Sequence, residues 1–228
     1  AIVKTVDKGI SKKRAPLLLN LAELQAECSK RFKISPDETL QVAQDLYERK
    51  LTTYPRTDAR VLSSAVAKEI SKNIRGLRSF DPVAPFAQNI MEHGLYKNIG
   101  KSSYTDDSKI TDHYAIVPTG QVNEYKSLTE LQKRVYELIV RRFLSIFYPP
   151  AQYQTVKLTI GIEKESFFAG AKVLKVPGYL EIAGRPDTKE KREKEDGGGE
   201  ENNPKNSAAL LKLADSLKEG DTAEVRSE

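Results

Sequence analysis

Residues 142–162 read RFLSIFYPPAQYQTVKLTIGI, and the fold turns on what happens across the two prolines. Before them, TELQKRVYELIVRRFLSIF repeats apolar side chains at helical spacing, with Ser127 and Glu130 as its expected start. After them the period drops to two. QTVKLTIGI places Val156, Leu158, Ile160 and Ile162 on one face of a strand. A helical block therefore gives way to a β region at Tyr148-Pro149-Pro150.

The β pattern continues through ESFFAGAKVLKV and VPGYLEIAG. The stretch RPDTKEKREKEDGGGEENNPKNS is charged, Gly-rich and without apolar anchors, and reads as a mobile loop near 185–206. LKEGDTAEVRS then returns to turn-plus-strand character. At the other end of the chain, IVKTVDKG alternates like a strand before the basic loop SKKRAP. Sheet edges seek partners, so this first strand is expected to pair with the C-terminal β region.

Between them the chain is helical. LAELQAECSKRF lines up Leu21, Leu24, Cys28 and Phe32. Ser35-Pro36-Asp37-Glu38 carries a cap, a first-turn proline and a capping-box glutamate. The helix that follows, PDETLQVAQDLYERK, is expected to pack through Leu40, Ala43, Leu46 and Tyr47. Two helices joined by a tight KIS turn and followed by LTTY look like a helix-turn-helix leading into a wing. A further helix is expected from Ser64 to Ile74, and another over FAQNIMEHG, ended by glycine. The polar segment 97–120 is long for a structureless connection, which points to function. The predicted fold class is α+β, a helical, winged-helix-like domain inserted into an antiparallel β domain.

The 228 residues can bury a proper core, and 39% hydrophobic with 30% charged residues excludes wholesale disorder. The net charge of +5 suits a polyanionic partner but is modest for a complete nucleic-acid enzyme. Cys28 is the only cysteine, so a disulfide framework or zinc ribbon is excluded, and it reads as a small buried thiol. No apolar run approaches the ~20 residues a bilayer span needs, and nothing in the sequence directs the chain outside the cell.

Chemistry is concentrated in TYPRTD. A phenol with a pKa of ~10 is a poor nucleophile unless nearby cations favour phenolate and bind the group attacked. Arginine offers a planar, bidentate fork to phosphate oxygens. At i and i+2 on an extended segment, Tyr54 and Arg56 project to one side and could meet one phosphate. The same spacing suits a tyrosine packed at a strand end beside an exposed arginine. His113, beside Asp112 in the polar segment, could donate to a phosphate oxygen or be an ordinary loop histidine. His93 reads as a helix C-terminal residue. Asp106, Asp107 and Asp112 match no metal loop and read as solvated carboxylates. Lys12, Lys13, Arg14, Lys30, Arg31, Lys33, Arg56 and Arg60 could track a phosphate backbone or serve solubility.

Taken together, Tyr54-Pro55-Arg56-Thr57-Asp58 and His113-Tyr114-Ala115-Ile116-Val117-Pro118-Thr119 resemble two motifs of the type IA DNA topoisomerases, in the proline form typical of topoisomerase III. LNLAELQAE with ETLQVAQDLYERKLTTY resembles the helix-turn-helix ahead of that family's tyrosine. AKVLKVPGYLEI and LKEGDTAEV resemble its later β domain.

The resemblance implies that Tyr54 attacks a phosphodiester of single-stranded DNA, giving a 5′-phosphotyrosyl link and a free 3′-hydroxyl. It implies that Arg56 binds the scissile phosphate and that His113 holds that phosphate or the flanking backbone. It places Arg56, Thr57, Asp58, Arg60, Arg31 and Thr119 at the DNA surface. The family's Toprim domain carries carboxylates for Mg²⁺. No DxDxE set occurs here, so no metal site is expected in this chain and Mg²⁺ is expected in that missing domain.

The chain then looks like a central fragment of a cytoplasmic, DNA-associated bacterial enzyme. Residues 1–16 would open the β-rich arch domain, 17–149 would form the tyrosine domain, and 150–228 would return to the arch. The expected partners are single-stranded DNA and the remaining domains of the same enzyme, with no membrane. Two other readings remain open. One is a non-catalytic winged-helix nucleic-acid module in which Tyr54 stacks on a base. The other is an interaction protein using the 97–113 and 185–201 segments.

Overall fold

The computed structural model describes residues 1–184 and 204–222. The expected loop near 185–206 falls, up to residue 203, outside the described residues, as does the end of the chain from 223. The fold mixes helices with an antiparallel sheet and divides into two compact units. One takes Ala1–Lys13, Pro150–Gly178 and the described residues from 204 on. The other takes Arg14–Pro149 and Tyr179–Gly184.

The first unit is a three-stranded antiparallel sheet ordered β1 (Ile2–Lys13), β2 (Ala151–Ile162), β3 (Glu165–Val176). The first strand pairs with the C-terminal β region, as its alternation predicts, and Val6 lies opposite Leu158, which lies opposite Ala169. Period-two patterning fixes which face is buried, because a one-residue slip would turn Val156 and Leu158 outward. That face meets a C-terminal helix over Pro204–Ser216, with Val3, Val156, Leu158 and Ala171 packed against Leu211 and Ala214. The helix is absent from the sequence reading, which ran the charged loop into its first turn. Beyond it, Gly220 N donates to Val3 O and Val3 N donates to Asp221 O, each at 2.9 Å, and Thr222 bridges Ile2.

The second unit is helical. Its first two helices are α1 (Leu21–Phe32) and α2 (Pro36–Glu48). Asn20 caps α1 by accepting from Glu23 N, and Lys33 ends it in the left-handed region at φ 60°. Ser35 and Glu38 form the reciprocal capping box that the sequence predicts. Such a cap is worth about 1 kcal/mol. The segment after α2 makes only isolated bridges among the described residues, Thr52 with Pro118 and Leu62 with Thr105, and no hairpin.

The helix expected over Ser64–Ile74 is broken into α3 (Ser64–Glu69) and α4 (Ser71–Gly76). Next comes α5 (Ala84–Glu92), closed by Gly94 at φ 61°. The long helix α6 (Glu130–Ser145) starts one cap later than its first candidate. Thr129 pairs with Gln132, whereas the Ser127 hydroxyl turns back to Glu124 O at 2.8 Å. Tyr136 and Phe143 of α6 are fully buried.

The GYLEIA stretch is not a strand. Gly178 at φ 53° ends β3, and Leu180–Ala183 forms a helical turn, α7, that buries Leu180 and Ile182. The C-terminal helix Pro204–Ser216 is α8. No helix among the described residues is long and apolar enough to cross a membrane.

Candidate active site

The segment 51–62 leaves α2 through Lys50, which sits at φ 59° and turns the chain back sharply. From there the chain is extended, and burial alternates: Pro55, Thr57 and Ala59 are buried while Arg56 and Asp58 are exposed. This is the two-residue period of an extended chain with one face against a core.

The 113–119 segment lies against it through non-local hydrogen bonds. Thr53 N donates to Val117 O, Val117 N donates to Thr53 Oγ1, and Thr53 Oγ1 donates to Ala115 O, all at 2.9 Å. Thr119 N donates to Leu51 O at 3.0 Å, and its hydroxyl donates to Lys50 O at 2.6 Å. The 113–119 segment is also tied to Leu19 and Val61, through Ile116 N and Ala115 N. Thr52 Oγ1 is the one buried side-chain polar atom among the described residues that lacks a partner.

This lacing brings the two motifs together. The half-buried Tyr54 ring lies with its centroid 4.5 Å from that of His113, the planes inclined at 47°. On another side the Tyr47 ring meets it edge-on, 5.3 Å between centroids. Tyr47 was expected to pack in the helix core. Instead it is 40% exposed and belongs to the site. Its position in the last turn of α2 was a usable signal, because Lys50 folds the next segment back over that turn. Arg56 is exposed and makes no hydrogen bond or ion pair among the described residues, and the same holds for the Asp58 carboxylate. The Tyr54 hydroxyl has no hydrogen-bond partner among the described residues either.

The other expected DNA-surface residues are more committed. Thr57 is buried. Its hydroxyl donates to His113 O at 2.7 Å and accepts from Ala59 N at 3.1 Å. Thr119 is tied to Lys50 through its hydroxyl. Arg60 donates to Leu18 O at 3.1 Å and pairs with Glu23 at 3.2 Å. Arg31 sits in the last turn of α1, paired with Glu27 at 2.7 Å.

The acidic cluster is structural. Asp106 holds Ser108 and Lys109, and these hydrogen bonds bring its carboxyl down to about 2. Asp107 accepts from Ser64 N at the start of α3 and is likewise lowered, first by its hydrogen bonds to Ser64. Among the described residues no group of three His, Cys, Asp or Glu is placed to hold a metal ion. His93 Nδ1 lies 3.0 Å from Asn89 O at the end of α5. Burial pushes the Cys28 thiol up to about 11, which suits a core residue and not a nucleophile.

A phenol braced on two sides, an unpaired guanidinium two residues on and an exposed imidazole make a site suited to a phosphate ester. The chain belongs to the DNA topoisomerase family, whose model matches residues 1–227. It is 35% identical over 231 residues to the DNA topoisomerase 3 of Bacillus licheniformis, covering 100% of this chain and 29% of that protein. To the DNA topoisomerase 3 of Bacillus subtilis it is 35% identical over 194 residues, covering 85% of this chain and 26% of that protein. The chain thus spans less than a third of the length of these relatives. Its fold is similar to that of full-length topoisomerase I from Thermotoga maritima, with a TM-score of 0.58 at 22% identity over 96% of this chain and 32% of that one.

Proposed function

We propose that this chain is the tyrosine-bearing part of a type IA DNA topoisomerase acting on single-stranded DNA. Tyr54 Oη attacks a backbone phosphorus, the bond from phosphorus to the 3′-oxygen breaks, and that oxygen leaves as a 3′-hydroxyl on taking up a proton. The phenol's own proton is lost as the 5′-phosphotyrosyl ester forms. Running the exchange backward reseals the strand without ATP, because the ester keeps the energy of the broken bond.

Arg56 holds the non-bridging oxygens of the phosphate, where charge builds in the transition state. His113 donates to the same phosphate or its neighbour. Asp58 and the main chain at Thr57 and Thr119 border the strand, with Arg60 and Arg31 further along it. The observation that carries this reading is the bracing of Tyr54 between His113 and Tyr47 with Arg56 free beside it. No step runs through a metal held by this chain, and we place any Mg²⁺ in a Toprim-type domain outside these residues.

We also read α1 and α2 as a winged-helix-like pair within a tyrosine domain over 17–149, with 1–16 and 150–228 contributing to a β-rich arch. The setting we infer is cytoplasmic and DNA-associated.

The test is capture of a covalent adduct on a labelled single-stranded oligonucleotide by the complete gene product that contains these residues. An adduct that maps to Tyr54 and disappears in Tyr54→Phe is expected. An adduct that persists in Tyr54→Phe would sink the assignment. The isolated chain is expected to relax no supercoiled plasmid.

A further inference from the structure

A cleft of about 250 Å³ opens between α1, α6 and α7, and its walls carry four guanidinium groups, Arg31, Arg134, Arg141 and Arg142, against the carboxylate of Glu137. Three of the four are held in place. Arg31 Nε donates to Glu27 at 2.7 Å. Arg142 is buried and donates to Glu27 at 2.9 Å and to Leu17 O at 3.0 Å. Arg141 donates to Glu137 at 2.7 Å and to Ile182 O at 3.0 Å. Arg134 differs: its guanidinium carbon lies 4.5 Å over the Phe32 ring, and it makes no ion pair or hydrogen bond among the described residues.

A guanidinium held over an aromatic ring by cation–π attraction spends none of its N–H donors on that contact. Its planar fork is therefore available to take an anion by two parallel hydrogen bonds. Even with Glu27 counted, the cleft keeps two positive charges in excess. Its size admits a phosphate group.

The cleft does not stand alone. Arg60 pairs with Glu23 at 3.2 Å, Glu23 lies 3.9 Å from Arg142, and Arg142 and Arg31 share Glu27. A line of alternating charges thus runs along α1 from the extended segment that bears Tyr54 to the cleft. Glu23 and Arg31 are eight residues apart on α1, about 12 Å at 1.5 Å per residue.

We propose that this cleft binds a backbone phosphate of a nucleic-acid strand, as a second contact apart from the phosphate at Tyr54, with Arg134 as the receiving group. This rests on the DNA-directed function proposed above.

The test is fluorescence anisotropy with a labelled single-stranded oligonucleotide across a salt series, on the chain, on Arg134→Gln, on Arg134→Lys and on Arg56→Ala. Losing one phosphate contact on a single strand flattens the slope of log affinity against log salt by about 0.7. Arg134→Gln is expected to show that change, and Arg134→Lys to keep the slope. Because Arg134 is exposed, neither variant should disturb folding. A parallel titration with inorganic phosphate, read from the Arg134 side-chain NMR resonance, separates a strand site from a free-anion site.

A resonance shift with inorganic phosphate but an unchanged slope in Arg134→Gln would overturn the strand assignment. So would an absence of oligonucleotide binding at any salt, which would leave the cleft to an acidic protein segment. An unchanged Arg134→Gln beside a flattened Arg56→Ala removes the cleft and leaves the proposed function standing. A flattened Arg134→Gln with no adduct at Tyr54 in the complete gene product does the reverse.

Discussion

The Thr57 hydroxyl donates to the main-chain oxygen of His113 across 2.7 Å and so fastens the tyrosine motif to the histidine motif. Because Thr57 also accepts from Ala59 N, one buried oxygen sets both the bend after Arg56 and the placement of the imidazole. Replacing Thr57 with Val keeps the shape and strands a donor and an acceptor, which is expected to cost about 2 kcal/mol. Thr57→Ser should recover most of it. Urea midpoints of the three chains decide the matter, and equal midpoints for Val and Thr would show that the hydroxyl does not hold the junction.

The Arg142 side chain is expected to be the costliest charge to remove. It is buried and joins α6 to α1 through Glu27 and Leu17 O. Arg142→Ala takes one of the two arginines that Glu27 holds, Arg31 remaining, and strands the Leu17 carbonyl, which is expected to cost about 1–3 kcal/mol. The pH dependence follows from Glu27. Burial pushes its carboxyl up, but the hydrogen bond and charge of Arg31, with Arg142 behind, outweigh burial and leave it below its ordinary 4.5. A carboxyl lowered on folding stabilises the fold fully above 4.5, and that contribution fades as pH falls through the lowered folded value. Denaturation midpoints measured from pH 6 downward should therefore drop in the wild type, and drop less in Glu27→Gln.

How much of this was legible depended on whether a signal was local. The Ser35–Glu38 capping box and the alternation through Val156 and Leu158 are written in neighbouring residues, and both appear as read. The start of α6 was ambiguous because Ser127 and Thr129 can each cap, and only the packing of Gln132 decides between them. The strand expected over GYLEIA fails because Gly178 ends β3 and buries Leu180 and Ile182 in a helical turn.

In the site, the two motifs could be recognised separately, but their meeting depends on Thr53, Thr57 and Thr119 bonding to partners more than fifty residues away. The pairing of Arg142 with Glu27 spans still more of the chain, and no period or motif encodes it.

Gly76 marks where that long-range fit is tightest. A Cβ there would lie 2.0 Å from the main-chain oxygen of Gly120, directly after the histidine motif. Backbone cannot yield as a side-chain tip can, so Gly76→Ala must push the 113–120 segment away from α4. Overpacking of this kind costs about 1–3 kcal/mol. The expected signature is lower thermal stability together with faster amide exchange at Val117 and Thr119. Unchanged exchange at those two amides would show that α4 does not brace the motif.

Tyr47 offers the sharpest separation of ring from hydroxyl. Its ring meets Tyr54 edge-on at 5.3 Å, opposite in kind to the tilted contact of His113 at 4.5 Å, and the Tyr54 ring is thereby held from two directions. An edge-to-face aromatic pair contributes about 0.5–1.5 kcal/mol beyond the area it buries. If that contribution holds Tyr54 in its attacking position, Tyr47→Ala in the complete gene product should slow adduct formation by about two- to tenfold. Tyr47→Phe keeps the edge and removes only the hydroxyl, so it should form adduct at the unaltered rate. Equal slowing in both variants would move the role from the ring to the hydroxyl, and no slowing in either would make Tyr47 a bystander at the site.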